Sequence, residues 1–434
     1  MKGIAVIISN KYPFPPDDGK KTVLAGFLAY LIDRFGRDNV LYVVIGRRNN
    51  AAQGEVICRN VWIDPPTLSA QAWNVFRCIS RLDRKSMQEA LTYSSKVERK
   101  LKDLLSSVQP QLIILDTLRI GQFFWSWRPL GSRLVLYMDD LFSLRFRRMT
   151  EVTKTTSEVR FDPSGTFSST LPAIARAVIK IGVVHKYLFK LESARTEARE
   201  HECTALFDQC LLINPNEAKT LLDNCPGKPI ASVTPVLFNE PCGIRRMFDG
   251  SPMFLLFGSL RHPVYRASVM RFLAHDMDGV LQSIPNARIC MVGDGADDEI
   301  RSLCARFDGR VEALGFVDRL DEIFSTACAL LVPLLAAGGL KLKVLTALYY
   351  GLPIISTDSG VDGIPLIDGT HFLRESATER FSIHMRRLMD VKYNLEISRN
   401  ASAIFNEVYS KTRIYQDYDN LMDIECDAGI AATH

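Results

Sequence analysis

Short uninterrupted apolar runs alternating with helical patterns restrict this chain to an α/β architecture of parallel strands. Gly3 to Ile8 is such a run, followed by the loop Tyr12 to Gly19 and a helical pattern from about Lys20 to Phe35. Val40 to Ile45 repeats the signal, and Leu112 to Leu115, Leu134 to Met138 and residues 208–214 repeat it again. A long helical stretch is expected from about Lys85 to Ser107, and another helix from Pro215. A strand flanked by helices on both sheet faces loses its polar side, so it reads as a continuous apolar run. Strands spaced by helices in this way make βαβ units.

Pro and Gly recur between residues 225 and 252, and the alternation then restarts. Met253 to Phe257, Ala287 to Val292, Cys328 to Val332 and Pro353 to Thr357 read as strands. Residues 267–283 and Lys341 to Tyr350 read as helices. Two domains are the natural division of 434 residues. We place them at 1–235 and 236–405, with a helix and tail at 406–434 that packs back on the N-terminal domain. In the last forty residues Ile404, Val408, Ile414, Tyr415 and Tyr418 are the expected anchors.

Composition narrows the chemistry. A net charge of +4 is too small to argue for nucleic acid. The ten cysteines include no CxxC pair and have no accompanying histidine cluster, so zinc-site and thioredoxin readings fail. Cys290 and Cys328 sit in apolar runs as small core residues, in keeping with a reducing, cytoplasmic setting. The first apolar run lacks a small-residue cleavage site and reads as a strand, not a leader. No run of 18 uncharged apolar residues occurs, so no transmembrane helix is expected.

Two phosphate-loop signals fail on inspection. Gly19-Lys20-Lys21-Thr22 lacks the Ser or Thr directly after the first lysine, and Phe14 stands where the earlier glycine belongs. Gly293-Asp294-Gly295 follows a second strand instead of a first, and Asp298 takes the third glycine position, so it reads as a tight turn.

The segment after Val332 is more specific. A strand ends, Gly338-Gly339 follows, and a helix begins with Lys341 and Lys343 in its first turn. Cations there oppose the helix dipole, so helix stability does not account for them. Two readings stand: lysines on a solvated face, or lysines that hold an anion at a helix N-terminus. The continuation Ala347-Leu348-Tyr349-Tyr350-Gly351-Leu352-Pro353-Ile354-Ile355-Ser356-Thr357, then Gly360 to Ile364, resembles the donor-binding segment of GT-B glycosyltransferases of the retaining, family-four-like group (glycosyl transferases group 1). Leu255 to Leu260 resembles the first strand and glycine loop of their donor domain. Ile289 to Gly295 resembles the second strand and turn, and Leu314 to Val317 the segment near the nucleotide base. The likeness is good over residues 253–375 and loose in the N-terminal half.

That resemblance implies two Rossmann-like α/β domains facing a cleft, with the donor on the C-terminal domain and the acceptor on the N-terminal one. By position it makes Lys343 the partner of the donor diphosphate, with Lys341 and either Arg261 or Arg266 as its helpers. Gly19, Gly258, Gly338, Gly339 and Thr346 complete the expected donor site. It implies no metal, because cationic side chains and helix dipoles neutralise the leaving diphosphate. It implies no cofactor beyond the nucleotide-sugar substrate. The group often carries two acidic residues eight positions apart, and here those positions hold Gly338 and Thr346. Asp362 in the next loop is the candidate replacement carboxylate.

On the acceptor side, Asp139 and Asp140 end a buried strand, where ligands of parallel sheets gather. They are the catalytic candidates for orienting or deprotonating an acceptor hydroxyl, set against an equally good reading as a turn or helix cap. Residues 141–200 hold 11 Lys or Arg against 6 Asp or Glu. The stretch Leu171 to Leu191 reads either as a basic amphipathic helix for an anionic membrane surface at the inner face of the plasma membrane or as a core helix with snorkelling lysines. The expected function is transfer of a sugar from a nucleotide-sugar donor to a lipid-linked or polysaccharide acceptor. The alternatives are a non-hydrolysing sugar-nucleotide epimerase and a non-catalytic GT-B-like binding protein.

Overall fold

The computed structural model describes residues 3–16, 18–48, 57–155, 182–336 and 338–424. They fall into two compact units: residues 3–144, 182–237 and 411–424 in the first, 145–155 and 238–410 in the second.

The first unit is built on seven parallel strands: β1 (Ala5–Ser9), β2 (Val40–Ile45), β3 (Arg59–Ile63), β4 (Leu112–Asp116), β5 (Arg133–Asp139), β6 (Gln209–Leu212) and β7 (Ile230–Ser232). Their order in the sheet is β3-β2-β1-β4-β5-β6-β7. The second unit has six, β8 (Met253–Phe257), β9 (Arg288–Val292), β10 (Val311–Gly315), β11 (Ala329–Val332), β12 (Ile354–Ser356) and β13 (Leu373–Arg374), in the order β10-β9-β8-β11-β12-β13. Each sheet reverses direction of growth once, between β1 and β4 in the first and between β8 and β11 in the second. Such a reversal opens a crevice at the carboxyl ends of the two strands, which is where open parallel sheets bind ligands.

The strands read from continuous apolar runs are all present, and β1, β2 and β4 are buried at every residue. Four strands carried no such run: β3, β7, β10 and β13. All four lie at the edges of their sheets. The expected helix Lys85 to Ser107 is instead two helices, Met87–Thr92 and Ser95–Val108, because Ser86 and Ser94 each cap a new helix start. The helix expected at 267–283 begins earlier, at Pro263, and passes through a π turn at Phe272–Asp276. The basic stretch Leu171 to Leu191 lies in its first part outside the described residues, which resume with the helix Gly182–Cys203.

The C-terminal helix Lys411–Met422 belongs to the first unit. It packs on α1 (Gly19–Phe35) through stacked rings of Phe27 and Tyr418, 5.0 Å apart. Asp419 accepts two 2.7 Å hydrogen bonds from the Arg34 guanidinium and one of 2.8 Å from the Tyr30 hydroxyl. Ile414, Tyr415 and Tyr418 are buried here. In the preceding helix, Val391–Val408, the buried apolar residues are Ile397, Ala401 and Phe405, while the expected Ile404 and Val408 are half-buried; Tyr409, just past its end, is buried.

Candidate functional site

At the switch point of the first sheet three strand ends carry polar groups. Ser9 closes β1, Asp116 closes β4 and Asp139 closes β5. The Ser9 hydroxyl donates to Asp116 at 2.5 Å. Lys20, in the first turn of α1, reaches between the strands: its ammonium lies 2.5 Å from Asp116 and 3.2 Å from Asp139. Desolvation alone would push the Lys20 pKa down, but the two carboxylates outweigh it and the pKa is raised. The ammonium also lies 4.4 Å from the centre of the Tyr137 ring, and the Tyr137 hydroxyl donates to Asp139 at 2.9 Å.

Backbone strain gathers at the same edge. Thr117 has φ 69° and Asp139 has φ 74°, both in a region that side chains other than glycine rarely occupy. At Asp139 the pairing of β5 with β6 also slips. Strained residues of this kind cost about 1–3 kcal/mol each and tend to cluster where a site needs a side chain aimed. The two expected aspartates are placed differently. Asp139 keeps about a quarter of its side chain exposed (24%). Asp140 is buried beside Glu200, at 1% exposure. The backbone after Asp140 is fixed by two buried carboxylates, as Leu141 N–H donates to Glu217 at 2.8 Å and Ser143 N–H to Glu200 at 3.2 Å. Gly19 opens α1 under the cap of Asp18, whose carboxylate accepts from Lys21 N–H at 2.8 Å.

In the second unit the switch point lies between Gly258, after β8, and the loop from Pro333 to Lys341, after β11. Gly258 has φ +136° and donates its N–H to Val292 at 2.9 Å, which draws it against the end of β9. A Cβ at Gly293 would run into the Gly258 carbonyl, so this close approach requires glycine at 293. A Cβ at Gly258 would lie 2.9 Å from the Lys343 amine, so Lys343 projects onto that bare backbone. The amine sits 2.9 Å from the centre of the Tyr265 ring. Part of the Lys343 side chain reaches solvent, yet desolvation pushes its pKa well below the ordinary lysine value. Among the described residues no carboxylate pairs with it.

Lys341 is the residue before the helix Leu342–Tyr349 instead of lying in its first turn, and it is 5% exposed. Its ammonium donates to the Gly339 carbonyl at 2.8 Å and stands 3.9 Å from Asp362. Gly338 and Gly339 therefore lie on the same loop as Lys341, with Asp362 beside it. Arg261 and Arg266 are engaged elsewhere. Arg261 pairs with Asp294 at 2.5 Å, while Arg266 pairs with Asp297 at 2.7 Å and Glu299 at 2.6 Å. The Thr346 hydroxyl donates to Leu342 within its own helix at 2.9 Å.

Sequence reasoning picked out Asp139 but passed over Ser9, Lys20 and Asp116. One signal was present: Leu112 to Asp116, like Leu134 to Asp139, is an apolar run that stops on an aspartate. Lys20 and Ser9 join them only through the strand order.

Comparison with known proteins bears on the domain and the fold. Residues 251–390 match the family of glycosyl transferases group 1. No curated protein matches the chain by sequence. Among solved structures, HepE of Anabaena in complex with UDP and glucose is similar, with 12% identity, a TM-score of 0.61 and coverage of 97% of this chain and 99% of that one. TarM is similar at 9% identity and a TM-score of 0.66, covering 98% and 99%. Sucrose-phosphate synthase from Thermosynechococcus elongatus is similar at 13% identity and 0.62, covering 96% and 98%. The second unit is thus a group 1 glycosyltransferase domain, and the chain is a glycosyltransferase with the two Rossmann-like domains of the GT-B fold.

Proposed function

We propose that this glycosyltransferase moves a hexose from a nucleotide-sugar donor to a lipid-linked or polysaccharide acceptor without a metal ion, at an anionic membrane surface on the cytoplasmic side. The observation that carries the donor part is the Lys343 ammonium, desolvated against Gly258 and Tyr265 with no acid partner among the described residues. Leaving a charge desolvated and unpaired is costly, so the place calls for an anion. A diphosphate at the glycine-rich loop and the start of the helix Leu342–Tyr349 supplies it. As the glycosidic bond to the diphosphate breaks, negative charge grows on the leaving oxygens, and fixed cations stabilise that charge more than they stabilise the bound donor. Lys341 contributes a second cation and Asp362 fixes its place. Arg261, Arg266 and Thr346 border this machinery within the second unit, with the two arginines released from their acid partners when donor binds.

The strand ends of the first unit supply the acceptor side. Asp139, part-exposed and aimed by its backbone, takes the proton of the acceptor hydroxyl as its oxygen bonds to the sugar. Asp140 is a positioning residue buried behind it. The similar structures support the sugar-donor reading: HepE is described with UDP-glucose, TarM with UDP and an α-GlcNAc-glycerol, and WaaB as a lipopolysaccharide outer core galactosyltransferase.

A thermal-shift panel of UDP-, GDP-, ADP- and dTDP-sugars, followed by donor hydrolysis, tests this. One base should raise the melting midpoint, and Lys343→Ala should abolish both the shift and the hydrolysis. Asp139→Asn should keep the shift and lower transfer by about 100-fold or more, the usual scale for a group acting on the reacting proton. Full hydrolysis in Lys343→Ala would remove the proposal.

A further inference from the structure

The helix α2 (Leu68–Ile79) of the first unit is turned inside out. Its inward side is small and partly polar: Cys78 is buried, and Asn74 donates to the carbonyls of Ala90 and Tyr93 at 3.1 and 2.9 Å. Those bonds tie α2 to α3 (Met87–Thr92) and to Tyr93, just past its end, and so fix which side faces out. The outward side carries Leu68 at 64% exposure, Trp73 at 59%, Phe76 at 55% and Ile79 at 37%, continued by Leu82 at 66% in the following loop. Trp73 and Phe76 stack with ring centres 5.7 Å apart, so they present one continuous apolar plate. The spacing 68, 72, 76, 79 keeps one helical face, with Ala72 between the large residues.

Large exposed apolar residues gathered on one face mark an interaction surface. The charges beside them indicate its partner. Arg77, Arg81 and Arg84 are all exposed at the end of α2 and in the loop after it. Asp83, the acid among them, is turned to the backbone N–H of Lys85 at 3.1 Å. An aromatic and aliphatic plate edged by exposed arginines matches a bilayer interface with anionic headgroups. There the rings enter the acyl boundary while the guanidinium groups meet phosphate.

We infer that α2 and the loop to Arg84 dock this chain on an anionic lipid surface. This deepens the membrane part of the proposed function and gives it residues other than the Leu171 to Leu191 stretch. Trp73 is the natural reporter, since Trp62, Trp125 and Trp127 are half-buried.

The full chain is floated with vesicles of phosphatidylglycerol and phosphatidylcholine, and with phosphatidylcholine alone. Binding to the anionic vesicles is expected, with a blue shift of Trp73 emission and quenching by brominated lipid. It should weaken strongly between about 0.05 and 0.5 M salt, as charge screening requires. Trp73→Ser with Phe76→Ser should reduce binding at least about tenfold, while donor hydrolysis stays unchanged. If that variant floats like the parent, α2 is not the docking face, although the membrane reading survives. If the parent does not float, both fall. Should the variant prove unstable, unquenched Trp73 emission in the bound parent overturns the inference instead. Self-association of the parent that disappears in the variant would assign the face to a second copy and overturn it as well.

Discussion

A lysine that loses its water without gaining a carboxylate penalises the folded state as long as the unfolded chain keeps that lysine protonated. Lys343 is in that position, its pKa held well below the ordinary value by desolvation. The sign follows from linkage. Between the depressed folded pKa and the unfolded value near 10.4, the unfolded chain binds the extra proton, so stability from this group rises with pH across that window. Below the folded pKa the penalty is complete. Lys343→Met should therefore stabilise the donor-free protein at neutral pH by about 1 kcal/mol, the size of other substitutions that relieve a strained functional residue. It should also flatten the rise in melting midpoint between neutral pH and pH ~10. Donor affinity in the parent should fall as pH rises through the same window, because only the ammonium pairs with diphosphate. Melting curves of both proteins from pH ~6 to ~10 check all three. A variant less stable than the parent at pH 7 would mean that Lys343 serves packing. This residue was legible in the sequence because its glycines and helix start are contiguous. The polar group at the switch point of the first sheet was only half legible, since Ser9, Lys20, Asp116 and Asp139 are spread over 131 positions and meet through strand order alone.

Among the elements, what the sequence revealed depends on burial. A strand covered on both faces must be apolar throughout, and every such strand could be read. An edge strand has one flank open and tolerates charge, as Arg59 and Asn60 in β3 and Glu312 in β10 show. No periodic signal distinguishes it from a loop. The C-terminal helix Lys411–Met422 shows the reverse case. Its apolar spacing was readable, but its anchor is polar: Asp419, 8% exposed, receives Arg34 and Tyr30 from α1. Truncating Asp419 removes the carboxylate that holds the half-buried Arg34 guanidinium. Asp419→Ala should cost about 3 kcal/mol, read as a lower urea midpoint with an unchanged slope. Asp419→Asn should cost less, because its amide oxygen still accepts from the Tyr30 hydroxyl and Arg34 Nε, while the charge and the second Arg34 bond are lost. Equal losses in the two variants would show that the charge contributes little.

For the whole molecule, the chain builds two sheets with the same order of strands and a separate core under each, and its last helix returns to the first unit. Cores that form separately can melt separately, so a calorimetric scan should show two transitions. A ligand that binds the native form stabilises what it binds by an amount set by its concentration over its Kd, about 2.7 kcal/mol at a hundredfold excess. A unit of this size shifts by about 2–4 °C per kcal/mol, so donor at that excess should move one transition by roughly 5–10 °C. The transition that moves should be that of the second unit, which holds Gly258 and Lys343. Two substitutions identify the peaks without outside labels. Asp419→Ala lowers the transition of the first unit, and Lys343→Met cancels the donor shift in the other. If the peak lowered by Asp419→Ala is also the one raised by donor, then the diphosphate rests on the strand ends at Ser9, Asp116 and Lys20. The roles proposed for the two sheets would then have to be exchanged.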